Sequence, residues 1–159
     1  MELQIVAWMI LRIMYAWMFL YPLKVLLSDW QVTKNTVALI VPKRLVPLSS
    51  ILMVIVMIIG ALSILLGFYA QIGGLLLLVY CLMGAVVHYK LAKLIINHQA
   101  MANQSNNAAL QEVIDMGVVG NVSSAQKNFV LAAVAFFFML LGSGPMSLTA
   151  PFFQPWIVY

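Results

Sequence analysis

The chain alternates long apolar blocks with short polar stretches, and the blocks are too continuous for a water-facing fold. Residues 4 to 27, 47 to 69, 72 to 96 and 128 to 149 each exceed the roughly 20 helical residues needed to cross about 30 Å of hydrocarbon. Backbone in lipid must satisfy its own hydrogen bonds, and unbroken blocks of this length exclude the ten-residue alternation of a barrel. The pattern predicts an all-α integral membrane four-helix bundle, one domain over residues 1 to 159.

The connections refine the topology. Blocks two and three are separated by little more than Tyr69-Ala70-Gln71-Ile72-Gly73-Gly74, so they form a tight hairpin of antiparallel neighbours. Between blocks one and two, Ser28, Asp29, Pro42 and Pro47 mark a loop, with an apolar interruption from Val37 to Val41 that is expected to lie flat on the membrane. Residues 97 to 127 form the one substantial polar segment, rich in Asn, Gln and Ser. A loop is expected there, with a short helix around Asn107 to Met116.

Composition agrees: 65% hydrophobic and 8% charged residues exclude an ordinary soluble domain. The N-terminus, Met-Glu-Leu-Gln, lacks the basic region and small-residue cleavage site of a signal peptide, so the first block is expected to stay as a helix. Lys24, Lys34, Lys43 and Arg44 follow block one, and Lys90, Lys93 and Lys127 surround the polar segment. By the positive-inside rule both termini are expected outside and the two longer loops in the cytoplasm. This asymmetry accounts for the net charge of +4 without a nucleic-acid partner. The sequons at Asn103 and Asn121 then fall on the cytoplasmic side, where glycosylation does not occur. The single cysteine, Cys81, excludes an intrachain disulfide and a thiolate cluster, and the 11 methionines do not gather with His or Cys at metal-ligand spacing. No metal site is expected.

One residue breaks the apolar pattern of the first block. In "AWMILRIMYAWMFL", residues 7 to 20, Arg12 carries a full charge into hydrocarbon, at a cost of about 2.5 to 3.5 kcal/mol on insertion scales. Helical spacing places Trp8, Arg12, Tyr15 and Phe19 on one stripe, so aromatic rings flank the guanidinium. Two readings are open: Arg12 snorkels to the outer interface, or it faces inward and binds an anionic or carbonyl-bearing ligand. On block three, Cys81, Gly84 and His88 share a face; Gly84 permits close approach of a helix or flat ligand. His88 is a candidate to hydrogen-bond a quinone carbonyl, shuttle a proton or simply pack, with Tyr80, Tyr89 and Asn128 as possible partners. His98 lies ten residues on, about 15 Å along a helix, so the two histidines do not form one haem axial pair. Small residues at Gly60, Ser63, Gly67, Ala132, Ala133 and Ala135 fit helix packing, and of the run Phe136 to Phe138 at least one ring is expected to face lipid.

Arg12 followed by Lys24, the hairpin "GALSILLGFYAQIGGLLLLVY", His88 and the closing "GSGPMSLT" together resemble the DoxX-like family of four-helix membrane proteins, over roughly residues 8 to 149. Arg12, Lys24, Gly60, Gly67, His88, Gly142, Gly144, Ser147 and Leu148 match its pattern. Met57 and Thr149 depart from it, standing where an acidic residue and an aspartate are common. The resemblance implies a bacterial or archaeal inner-membrane protein, a subunit of a quinone-linked oxidoreductase such as a thiosulfate:quinone oxidoreductase. Combined with the residue reading, it nominates Arg12, Tyr15, His88 and Asn128 as ligand-binding residues, and Gly60, Gly67, Gly84, Gly142 and Gly144 as packing residues. The expected ligand is a noncovalently bound quinone, and the expected partners are the lipid bilayer, a redox enzyme and further copies of the chain. The alternative is a non-catalytic anchor or assembly subunit that docks a soluble partner through residues 97 to 127.

Overall fold

The computed structural model describes residues 2 to 102 and 108 to 149, and these are 86% helical, without a strand. The helices are α1 (Glu2–Leu20), α2 (Leu23–Ser28), α3 (Trp30–Val37), α4 (Val46–Leu66), α5 (Ala70–Ala102) and α6 (Ala108–Leu141), with a single 3-10 turn over Lys43–Leu45 before α4. Among the described residues, four stretches are long and apolar enough to cross a membrane: Leu3–Ser28, Lys43–Leu66, Ala70–His98 and Ala108–Leu141. On the outer face of α4, Ile55, Ile59 and Leu62 are exposed. A water-soluble protein of this size does not leave contiguous apolar area of this kind uncovered. The chain is a multi-pass membrane protein.

Local chemistry sets the boundaries, and several differ from the sequence expectation. Pro22 has no N–H to donate, so block one divides into α1 and α2, although Leu26 N–H still reaches the Pro22 carbonyl at 3.0 Å. Asp29 then caps α3, its carboxylate accepting from Val32 N–H at 3.1 Å. In the apolar interruption at 37 to 41, Val37 ends α3 and is buried. Pro47 sits in the first turn of α4, where its missing donor is harmless. At the far end Gly67 adopts φ 67°, Phe68 N–H bonds Ser63 O at 3.0 Å and Gly67 N–H bonds Ile64 O at 3.2 Å. This Schellman closure stops α4 at Leu66 rather than 69.

The polar segment is the largest correction. Residues 97 to 102 continue α5 and 108 to 127 belong to α6, so helix flanks both sides of 103 to 107, which lie outside the described residues, as does the Asn103 sequon. Ala108 to Met116 is a run of good helix formers with no proline, and Gly117 and Gly120 each cost only about 1 kcal/mol. Packing offsets part of that: Ile95 of α5 stands 3.4 Å from where a Gly117 Cβ would be. At about 50 Å each, α5 and α6 exceed the hydrocarbon thickness, and their polar ends extend past it. At the other end α6 stops at Leu141 rather than 149, because Gly142 and Gly144 turn the chain at φ 73° and 75°.

The hairpin glycines lie inside α5, not in a loop. Gly73 faces α4, where an added Cβ would stand 2.5 Å from Ser63 Oγ, and Gly74 faces α6, where it would stand 2.5 Å from the Met139 nitrogen. Adjacent small residues therefore let α5 approach both neighbours at once. The core gathers Tyr15, Phe19, Met57, Ile64, Leu77 and Phe138 around the buried Cys81. Phe138 is buried while Phe136 and Phe137 are exposed, as three consecutive helical positions require.

Candidate functional site

Arg12 faces inward and is 6% exposed. Its Nε donates to Ile64 O at 3.1 Å and its Nη2 to Leu65 O at 2.6 Å. Both acceptors belong to the last turn of α4, whose carbonyls have no helical donor and carry the negative end of the helix dipole. A cation is therefore stabilised there without a carboxylate, and the planar guanidinium reaches two carbonyls at once. The aromatic support expected from the sequence is present: Trp8 is half-buried against Phe137, with ring centroids 5.2 Å apart, and Tyr15 packs on Phe19 at 5.1 Å and Phe138 at 5.4 Å.

The segment after α6 folds over the same helix end. Thr149 N–H bonds Gly67 O at 3.1 Å, and the Thr149 hydroxyl accepts from Tyr69 N–H at 2.8 Å. Ser143 and Ser147 share a hydrogen bond at 2.8 Å beside Gly67. A Cβ on Gly67 would meet Ser147 Cα at 2.7 Å and Arg12 Nη2 at 3.0 Å. A Cβ on Gly144 would overlap the Trp8 indole. Residues 142 to 149 thus form a strap joining α1, the α4–α5 turn and the end of α6.

His88 belongs to a different place. Arg12's acceptors close α4 just before α5 begins at Ala70, and His88 is about 27 Å along α5 from that start at 1.5 Å per residue. It lines a cavity of about 480 Å³ between α3, α4 and α5. The walls are mostly apolar, with Leu52, Met53, Val56, Val79, Met83 and Val87 among them. Leu52, Val79 and Met83 are also exposed, so the cavity opens on the lipid-facing side of the bundle. The lining residues with polar side chains are Thr33, Thr36, Ser49, Tyr80 and His88. A small volume of apolar wall with a few converging polar atoms is the usual form of a small-molecule site.

The nominated residues therefore do not form one site. Arg12 is an internal helix cap. Tyr15 is buried and donates to Leu131 O at 2.8 Å, tying α1 to α6. Asn128 donates to Ser124 O at 3.0 Å on its own helix, and its Oδ1 lies 3.0 Å from where a Gly84 Cβ would be. It is not the partner of His88. That partner is Asn121, whose Oδ1 is 3.0 Å from His88 Nδ1 and whose Nδ2 donates to Gly117 O at 2.9 Å. Asn121 and Asn128 are seven residues apart on one face of α6, and that spacing was the available signal. Tyr80 directs its hydroxyl to Met57 Sδ at 3.2 Å, and Tyr89 contacts the Phe129 ring at 6.4 Å. Gly60 and Gly84 sit at helix contacts, and Gly67, Gly142 and Gly144 turn the chain at the two helix ends. Among the described residues no three His, Cys, Asp or Glu side chains converge as a metal site would require.

Comparison of the chain with family models, with curated proteins and with solved structures finds no match.

Proposed function

We propose that this protein is a membrane subunit of a quinone-linked oxidoreductase and holds a quinone-type lipid in the cavity beside His88. The observation that carries this reading is the cavity itself, about 480 Å³, open on the apolar flank and furnished with an imidazole and a phenol. A ring with polar edges and a long apolar tail, entering from lipid, fits such walls. A bound quinone would contribute two-electron redox chemistry; the chain's own residues bind the ring, orient it and exclude water. The DoxX-like resemblance supports the same class, since Arg12, Gly67, Gly142, Gly144 and Ser147, which carry much of it, meet at one end of the bundle. In this reading the chain resides in a bacterial or archaeal inner membrane with both termini outside. Lys24, Lys34, Lys43, Arg44, Lys90 and Lys93 then all belong to the cytoplasmic end, and a redox enzyme supplies the electrons.

Mass spectrometry of lipophilic molecules that co-purify in mild detergent tests the assignment. A stoichiometric quinone is expected with the natural chain and its loss is expected in Val56→Trp, which fills the cavity. A variant that folds and retains the same quinone would remove the cavity from the proposal.

A further inference from the structure

The proposed cavity has a donor and acceptor character of its own. Asn121 donates through Nδ2 to the Gly117 carbonyl, which can only accept, and this fixes its amide with Oδ1 toward His88. Oδ1 is also only an acceptor, so the facing His88 Nδ1 must carry the proton. In the neutral imidazole Nε2 is then an unprotonated acceptor, and it has no hydrogen-bond partner among the described residues. His88 lines the cavity and Asn121 does not, and with Nδ1 engaged by Asn121 the ring nitrogen left for a ligand is Nε2.

The hydroxyls point the same way. Thr33 donates to Leu26 O at 2.9 Å, Thr36 to Val32 O at 2.9 Å and Tyr80 to Met57 Sδ at 3.2 Å. Each has spent its one proton inside the protein and retains lone pairs. Ser49 is the lining hydroxyl whose proton is not so engaged. The polar lining therefore offers acceptors and little donation. A carbonyl ligand would find few partners, while a ligand bearing O–H groups would find several.

Resting on the cavity reading above, we infer that His88, held as the Nδ1–H tautomer by Asn121, selects a ligand that donates a hydrogen bond, so that the site takes the hydroquinone form of a lipophilic quinone in preference to the quinone. For the quinone to be bound by His88, the proton would have to move to Nε2. That would set the Nδ1 lone pair against Asn121 Oδ1 and lose a buried hydrogen bond.

The test uses the full chain in lipid nanodiscs, under argon and at pH 8. Three probes are titrated calorimetrically: a decyl-substituted benzohydroquinone, its dimethyl ether and the matching quinone. The hydroquinone is expected to bind about tenfold tighter than either of the others, roughly the value of one hydrogen bond. In Asn121→Leu, where either tautomer is free to form, that gap is expected to narrow to about threefold or less. Equal binding of all three by the natural chain, abolished by Val56→Trp, would leave the cavity in place and overturn the donor preference, whether or not Asn121→Leu folds. Absence of any binding sensitive to Val56→Trp would overturn both the cavity reading and the preference.

Discussion

The Arg12 guanidinium lies 2.6 Å from the Leu65 carbonyl oxygen and closes a helix that is 53 residues away in sequence. The insertion cost of this arginine is met by the end of another helix rather than by a carboxylate or a lipid phosphate. An arginine so placed fixes α1 against α4 at one level, and the strap over Gly67 depends on that level being kept.

Removing the guanidinium should therefore destabilise the bundle. Arg12→Ala deletes two charge-assisted bonds, takes the guanidinium donor from the Leu65 carbonyl and leaves the Ile64 carbonyl only the Gly67 N–H, at a cost of about 2 to 4 kcal/mol. Arg12→Lys keeps the charge at the dipole but loses the two-pronged fit, and an intermediate loss of about 1 to 2 kcal/mol is expected. Thermal unfolding in detergent distinguishes the two. If both variants melted with the natural protein, the cap would have no energetic role.

The strap can be probed without touching Arg12. Gly67→Ala forces a side chain into φ 67° and drives its Cβ against Ser147 Cα, a backbone atom that cannot rotate aside. About 2 to 3 kcal/mol is expected from strain and overpacking together. Thr149→Val removes only the hydroxyl that accepts from Tyr69 N–H. Hydrogen exchange should show the Tyr69 amide losing protection in Thr149→Val while amides in the middle of α5 are unchanged. Equal protection before and after would mean that the strap is held by other contacts.

Much of this architecture is legible in the chain, for identifiable reasons. Span lengths follow from hydropathy, and the shared stripe of Trp8, Arg12, Tyr15 and Phe19 follows from a 3.6-residue period, which every straight helix obeys. That the stripe faces inward is shown only by the burial of Arg12, Tyr15 and Phe19 in the structure. What Arg12 grips is not legible, because its acceptors are backbone carbonyls that every residue carries. Only the packing of α1 against α4 selects Ile64 and Leu65. The partner of His88 was missed for a related reason: the register between α5 and α6 is written in neither helix alone, and it brings Asn121 rather than Asn128 to the imidazole. The helical course of residues 108 to 127 was obscured by polarity, which marks exposure to water but does not by itself mark a loop.

Tyr15 offers a smaller and more discriminating test. Its hydroxyl bonds Leu131 O at 2.8 Å, across the bundle between α1 and α6. Interhelical hydrogen bonds in membrane proteins average about 0.6 kcal/mol, because the unfolded chain in lipid also finds partners. Tyr15→Phe keeps the ring contacts with Phe19 and Phe138 and should cost about 0.5 to 1.5 kcal/mol. Tyr15→Ala also empties the buried ring volume, and about 3 kcal/mol or more is expected. A Tyr15→Phe loss as large as that of Tyr15→Ala would show that the hydroxyl, and not the ring, holds α1 to α6.

Two glycines on the long helices should respond in opposite directions to the same change. At Gly74 a new methyl would stand 2.5 Å from the Met139 nitrogen and 2.8 Å from the Ala135 carbonyl oxygen, both backbone atoms of α6. The helices must then separate, and Gly74→Ala should cost about 1 to 3 kcal/mol despite the better helix propensity of alanine. At Gly120 nothing lies within 4 Å of the added Cβ. The propensity term acts alone there, and Gly120→Ala should stabilise the chain by about 0.5 to 1 kcal/mol. Melting temperatures of the two variants in the same detergent should fall on either side of the natural protein. If Gly74→Ala were also stabilising, the close approach of α5 and α6 would be absent from the protein in its membrane-like environment.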